Sequence, residues 1–214
     1  MNSDTPAAPR GRPPTITRER IANAGIAIGL PELTFVGVAA RLGVSHMGLY
    51  KHVSGLEELR RLIAEEIFLR WQFPPPAQAR RENLQTYMTG FAESIWRLVA
   101  AHPGIAPYLL RGDMITPAMT EKIVAHQEAM MLSCGLTFAQ SRWLLLTIAF
   151  HCVAVADTVL PRTARDAPTD PDENPIDPEH RDGIRALIIG AMSILDQIES
   201  FPYPVEATAG YQKG

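Results

Sequence analysis

Residues 34–53 read TFVGVAARLGVSHMGLYKHV, a stretch that predicts two short helices joined by a tight turn. A helix-turn-helix requires a small residue where its two helices touch and a left-handed residue in the turn. Ala39 meets the first requirement, and Gly43, four residues later, meets the second. A small core would close around them from four apolar side chains: Val38, Leu42, Val44 and Leu49. The stretch therefore predicts a helix-turn-helix, although an ordinary helical hairpin would also satisfy the pattern.

Proline and glycine divide the rest of the chain into helical segments, and no alternating strand pattern occurs. One helix is expected from Thr17 to Gly29, and another from Ser54 to the prolines at 74–76. Longer helical segments follow at about 77–101, 105–111, 117–133, 138–160 and 180–201. The segment 138–160 is apolar nearly all round, which predicts a buried helix. The expected fold is all-α, with a three-helix head that contains the helix-turn-helix and a larger helical body.

The same punctuation predicts the domain organisation. Residues 1–14 form a flexible basic arm, residues 15–54 form the helix-turn-helix head, and residues 55–203 form the body. Within the body, a connecting helix at 55–71 leads out of the head, and a loop at 161–179, rich in proline and acidic residues, is expected to be mobile. Residues 204–214 form a tail.

Composition indicates a soluble globular protein. The chain has 214 residues, of which 46% are hydrophobic and 20% charged, which excludes disorder over most of its length. Cys134 and Cys152 are too few for a disulfide framework and are expected to be buried thiols. The N-terminus has no apolar signal segment, and the longest apolar run, 143–156, is shorter than the roughly 18–20 residues of a membrane span. We expect a cytoplasmic protein.

Charge is distributed unevenly along the chain. Residues 1–56 carry six basic and three acidic side chains, whereas the whole chain has a net charge of −3. A basic head on an acidic body suggests that only the head meets a polyanion, although so small an excess also arises by chance.

Residues 15–70 resemble the DNA-binding domain of the tetracycline-repressor (TetR) family. The resemblance is carried by Leu33-Thr34, by the pattern Val38-Ala39-x-x-Leu42-Gly43-Val44-Ser45, by Leu49-Tyr50-x-His52-Val53 and by the following helix with Leu59. It implies a homodimeric transcription regulator, usually a repressor. Such a protein leaves a palindromic operator in double-stranded DNA when a small hydrophobic ligand occupies its body.

The resemblance also implies which residues contact DNA. It identifies Ser45 to His52 as the recognition helix, with Tyr50 and Thr34 on phosphates. It places the Ser45 cap beside the helix N-terminus and points three side chains toward the major groove: His46, Met47 and Lys51. Gly48 and His52 complete the helix, and for His52 a packing role is slightly favoured over a phosphate contact.

The N-terminal arm offers a second contact. Arg10-Gly11-Arg12-Pro13 resembles the core of an AT-hook, in which two arginines flank a glycine in a narrow minor groove. General phosphate binding by Arg10 and Arg12 fits the arm as well.

Three residues depart from the family pattern. Val36 replaces a long polar base-reader, Leu56 replaces a phosphate-binding lysine, and Gly48 weakens the recognition helix by about 1 kcal/mol relative to alanine. These departures keep open an alternative, a helical small-molecule-binding protein or enzyme that no longer binds DNA specifically.

The histidines do not indicate catalysis or metal binding. No H-E-x-x-H, E-x-x-H, G-x-S-x-G or phosphate-loop motif occurs, so we expect no enzyme, metal or cofactor. His102 precedes Pro103-Gly104 and is expected to end a helix, while His126 is expected to be exposed. His151 lies alone on an apolar helix, as a core or interface histidine or as a ligand contact.

Aromatic and methionine side chains in the middle helices favour an apolar ligand pocket. The candidate ligand contacts are Tyr87, Phe91, Trp96, Met114, Met130, Trp143 and His151. The last helix carries an apolar stripe, which with the 138–160 helix is expected to form the dimer interface. The candidate interface residues are Ile184, Leu187, Ile188, Ala191 and Leu195.

Overall fold

The computed structural model describes residues 16–76, 79–160 and 176–198, and all regular secondary structure in these ranges is helical. Nine α-helices occur there: α1 (Arg18–Ile28), α2 (Phe35–Leu42), α3 (His46–Leu49), α4 (Leu56–Arg70), α5 (Leu84–Ala101), α6 (Ala106–Leu110), α7 (Pro117–Cys134), α8 (Phe138–Val159) and α9 (Pro178–Ile194). Short 3-10 turns occur at Arg81–Asn83, Gly112–Met114 and Leu195–Gln197. The all-α fold class is confirmed, whereas the predicted arm, most of the 161–179 loop and the tail lie outside the described residues.

The head begins its helices where the sequence predicts. The side-chain oxygens of Thr17, Thr34 and Ser45 each accept the backbone N–H three residues later, at 3.2, 3.0 and 3.1 Å. Gly43 follows α2 with φ of 70°, a left-handed conformation that favours glycine, and the Val44 N–H donates to the Ala39 carbonyl at 3.0 Å. The predicted turn between the second and third helices is therefore present.

The third helix is shorter than the predicted Ser45–His52. It covers His46–Leu49 and is followed by a tighter turn, in which the N–H groups of Lys51 and His52 donate to carbonyls three residues back rather than four. This tightening turns the chain so that Val53 is buried before α4 begins.

Helix α4 connects head and body. Near its middle, α1 crosses it at Gly25, where an added Cβ would lie 2.0 Å from Cδ1 of Ile63. An ion pair between Arg18 and Glu65 spans the same crossing. Because only glycine allows this approach, the head rests directly on the connecting helix.

The body packs around α5 and α8, with α6, α7 and α9 against them. Cys134 and Cys152 are free and buried, as predicted. By length and composition α8 could cross a membrane, but core helices of soluble proteins also pass this criterion; 33% of its most apolar window is buried.

The predicted dimer residues mostly face inward. Four of the five are buried within the single chain, because the apolar stripe of α9 packs on α5 and α8: Ile184, Ile188, Ala191 and Leu195. Leu187 is half-buried. The stripe therefore belongs to the core of one chain and offers little surface to a second one, which corrects the sequence prediction.

Candidate nucleic-acid interface and ligand cavity

The head presents an exposed face built from α2, α3 and the turn after α3. Val36 and Met47 are 69% and 63% exposed, although both are apolar. Exposed polar side chains from the same face surround them: Thr34, Ser45, His46, Tyr50, Lys51 and His52. The structure leaves these predicted residues exposed and brings His46 into contact with Tyr50; Arg10 and Arg12 lie outside the described residues.

Tyr50 is held in place by ring stacking. Its ring lies 4.3 Å from that of Phe35, centroid to centroid and nearly parallel, and His46 meets its edge at 6.4 Å. Stacking fixes the ring while leaving it 47% exposed, so the phenol is oriented before any partner binds. His52 is exposed, which does not favour the packing alternative for this residue.

Gly48 is not required by packing inside the head. A Cβ added there would make ordinary contacts, 3.4 Å from the Ser45 Oγ and 3.6 Å from the Ile16 Cδ1.

A cavity of about 710 Å³ lies between the end of α4 and helices α5 to α8. Its wall is largely apolar, and rings contributed by several segments dominate it: Phe68, Trp71, Phe73, Phe91, Phe138 and Phe150. The Trp71 and Phe73 rings meet edge to face at 4.5 Å, and Trp71 lies nearly parallel to Phe91 at 6.2 Å. These properties suit a flat, apolar small molecule.

Of the seven predicted ligand residues, only Phe91 belongs to this wall. Trp96 is buried on the side of α9, with its ring 5.9 Å from that of His180. Met130 is buried in the core, and His151 is exposed on α8. Helical periodicity identifies the buried side of each helix, but it does not distinguish packed core from cavity wall, so these residues do not line this cavity.

Met114 and Trp143 are half-buried and also lie outside the wall. Tyr87 lies behind the wall of the cavity, and its hydroxyl contacts His126, a wall residue that was predicted to be exposed.

His126 is 7% exposed and is packed between aromatic rings. Its ring centroid lies 4.5 Å from that of Phe73 and 5.7 Å from that of Phe91. Burial, with a smaller effect from the charge of Lys122, lowers the pKa of His126 to about 4, so the ring is neutral at physiological pH. The missed signal was the spacing of Met119, Ile123 and Met130, which places residues 126 and 127 on the inward side of α7.

A hydrogen-bonded chain orients the His126 ring. The Tyr87 hydroxyl lies 3.0 Å from the Pro74 carbonyl and 3.2 Å from Nε2 of His126. The carbonyl can only accept, so both contacts are satisfied when Tyr87 donates to Pro74 and Nε2–H donates to the Tyr87 oxygen. Burial raises the pKa of Tyr87, which keeps its hydroxyl protonated.

Gln127 is the other polar residue buried in the wall. It is 1% exposed, and no hydrogen-bond partner for its side-chain oxygen or nitrogen lies among the described residues. Its main-chain carbonyl accepts a hydrogen bond of 2.7 Å from the Ser141 hydroxyl on α8, which fixes this turn of α7.

Lys122 connects α7 to the end of α4. Its ammonium donates to the carbonyls of Phe68 and Leu69, at 3.1 and 2.7 Å, and to that of Trp71. It also lies 4.9 Å from the centre of the Phe73 ring. A cation at a helix C-terminus satisfies carbonyls that lack partners within the helix and interacts favourably with the helix dipole.

Among residues 16–76, 79–160 and 176–198, no three His, Cys, Asp or Glu side chains are grouped so that they could hold a metal ion.

The buried histidine predicts a pH dependence of stability. An unfolded histidine has a pKa of about 6.5, so the unfolded chain binds a proton that folded His126 does not bind between that pH and about 4. The free energy of unfolding should therefore fall as the pH is lowered through this window, by at most about 3 kcal/mol from this group.

Replacing His126 with Asn should make this fall in the free energy of unfolding smaller. Urea denaturation of both proteins at a series of pH values measures it. Above pH 7 the histidine is neutral in both states, so the difference between the two proteins there reports packing and the hydrogen bond to Tyr87, without a contribution from proton binding. An identical acid-induced loss in both proteins would contradict the assignment.

No protein-family model and no curated protein sequence matches the chain. Several solved structures match the chain. The TetR family protein ActR of Streptomyces coelicolor, in complex with actinorhodin, matches with a TM-score of 0.63 and 18% identity, over 84% of this chain and 97% of that one. A TetR variant of Acinetobacter baumannii, in complex with minocycline, matches with a TM-score of 0.61 and 18% identity, over 85% and 99%.

The Streptomyces coelicolor regulator SCO7222, described as a TetR, is 24% identical over 86% of this chain and 97% of its own, with a TM-score of 0.51. These likenesses extend through head and body alike. The chain therefore has the all-helical fold of the TetR-family regulators.

Proposed function

We propose that the chain is a homodimeric transcription regulator of the TetR family, which binds DNA through its head and is released when a small molecule fills its cavity. The observation that carries this proposal is the position of α4, whose middle supports the head at Gly25 and whose end forms part of the cavity wall. Two proteins of this fold are described in complex with small molecules, ActR with actinorhodin and the TetR variant with minocycline.

The exposed face of the head supports DNA binding. Tyr50 and Thr34 offer hydroxyl groups to phosphates, and Lys51 adds a positive charge. His46 and Met47 project from α3 and are proposed to reach base edges in the major groove. The basic arm with Arg10 and Arg12 would add contacts outside this face. We propose a partly palindromic operator, repression as the regulatory outcome, and a cytoplasmic location.

A second copy of the chain is proposed to cover the outer side of α8 and α9. Ile189 on α9 is a large apolar side chain that is 46% exposed and lies outside the cavity wall. Exposed residues next to Ile189 on α9 are small: Ala186, Gly190 and Ser193. Small side chains allow two helices to approach closely, so this face replaces the buried stripe as the proposed interface.

The alternative remains a helical small-molecule-binding protein without specific DNA binding. Val36 favours it, because an apolar side chain that is 69% exposed offers no hydrogen bond to a base at a position proposed to face DNA. The two functions differ in whether the head selects a DNA sequence.

Head variants should distinguish the two functions. We expect Tyr50→Phe to weaken binding to all DNA sequences by about tenfold, because one hydrogen bond to a charged phosphate is lost. His46→Ala should instead change which sequence is selected from a random library, because base contacts specify. Gel-shift titration with the DNA beside the protein's own gene measures the first effect.

Leu132→Ala serves as the control, because this side chain is 77% exposed on α7 of the body and should not affect DNA affinity. If neither head variant changes affinity or preference, the head does not read DNA and the alternative gains support.

The proposed interface is tested by Ile189→Asp. A buried charge at a symmetric interface should convert the dimer to monomers and lower operator affinity by at least about tenfold, because two half-sites are then no longer bound together. Leu132→Asp places the same charge on another exposed apolar position and should remain dimeric. Sedimentation equilibrium at micromolar concentration decides between them, and a wild-type monomer would refute the dimer.

A further inference from the structure

We propose that the cavity selects uncharged, flat aromatic ligands that carry a hydrogen-bond donor beside an acceptor, and that the side-chain amide of Gln127 recognises this pair. The inference rests on the proposed ligand-binding function and specifies its chemistry. It follows from three properties of the wall: an unsatisfied amide, stacked rings and balanced charge.

The amide of Gln127 is the first property. It has two donors and an acceptor, all buried, and the described residues provide no partner for either atom. An unsatisfied polar group in a folded protein is destabilising, and buried amides are rarely left so. Neither atom has accessible surface in this structure, so binding requires the side chain to turn about its soft terminal torsion toward the cavity. A ligand with a donor next to an acceptor would satisfy both atoms at once.

The position of Gln127 is fixed, which makes it suitable for recognition. Ser141 holds its main-chain carbonyl at 2.7 Å, and the neighbouring His126 is held through Tyr87. A fixed main chain limits the positions that the amide can reach, so hydrogen bonds from the amide to a ligand contribute to selectivity.

The aromatic rings determine the shape of the ligand. His126 and Phe91 lie nearly parallel, with their planes 22° apart, and Trp71 and Phe91 show the same angle. Rings in similar orientation on one side of a cavity favour a flat molecule that stacks against them. A volume of about 710 Å³ accommodates three or more fused rings.

The charges of the wall exclude an ionic ligand. Glu128 and Arg142 carry opposite charges, and the neutral His126 contributes none. The nearby Lys122 ammonium lies outside the wall and is engaged with three carbonyls. A charged ligand would lose its hydration and meet one like charge beside one counter-ion, so the wall offers it no net electrostatic gain.

Matched tricyclic probes test this chemistry. Phenanthridinone carries a lactam N–H beside its carbonyl, N-methylphenanthridinone lacks the donor, phenanthrene lacks both groups, and phenanthrene-9-carboxylate adds a negative charge. Fluorescence titration of the full-length protein measures their affinities. We expect phenanthridinone to bind at least about tenfold more tightly than the N-methyl and carboxylate analogues, because those leave the amide unpaired or bury a charge.

Gln127→Leu should remove this preference, so that phenanthridinone loses at least about tenfold in affinity while phenanthrene binds as before or better. Gln85→Leu, at an exposed position on α5, should keep the preference of the wild type. Gln127→Leu should also unfold at the same temperature or a higher one, because an unsatisfied amide is removed. Gln127→Met provides a second apolar variant if the leucine protein does not fold.

Two results would overturn the recognition role of Gln127. One is equal affinity for phenanthridinone and its N-methyl analogue in the wild type, and the other is an unchanged preference in both Gln127 variants. Absence of binding by all four probes would also overturn the ligand class. These outcomes leave the proposed function intact, because DNA selection by the head and dimer formation are measured without any ligand.

Discussion

The contact between Lys122 on α7 and the end of α4 joins the body to the helix that supports the head. Three carbonyls of residues 68, 69 and 71 surround the ammonium, where the helix has no further N–H groups to satisfy them. Burial lowers the pKa of Lys122, because the ammonium loses part of its hydration. The three carbonyl contacts replace part of that lost hydration and so stabilise the charged form. Because α7 also provides His126 and Gln127 to the cavity, one helix both lines the ligand space and holds the end of α4.

Helix α4 can carry a displacement from the cavity to the head because it is anchored at both ends. At its start, the Glu58 carboxylate accepts hydrogen bonds from the backbone and hydroxyl of Ser54, and these bonds lower the pKa of the carboxyl group. Further along, the Ile63 side chain packs directly on α1 at Gly25, where an added Cβ would overlap it. A ligand that prefers one position of Phe68 and Trp71 would therefore favour one position of the head. A coupling of about 1–3 kcal/mol corresponds to a five- to 150-fold change in DNA affinity.

Local signals in the sequence predicted the head well. Thr17, Thr34 and Ser45 cap helices, and Gly43 turns the chain, because each of these roles depends on a few neighbouring residues. The cavity was predicted as a property of the body, but its residues mostly were not. Periodicity shows that Trp96, Met130 and Ile188 face inward, whereas the choice between core and cavity depends on helices far away in the sequence. His126 was missed because a histidine beside polar neighbours on α7 resembles a surface residue until Phe73 and Phe91 enclose it.

The most direct test of the account is a measurement of reciprocity between DNA and ligand. Isothermal titration would give the affinity of one cavity ligand for the free protein and for the protein saturated with its operator, and the affinity of the operator with and without that ligand. Linkage requires both ratios to be equal, and the account predicts that each lies between about five and 150 in the direction of release. A ligand that binds the free and the DNA-bound protein equally well would contradict the coupling of cavity and head.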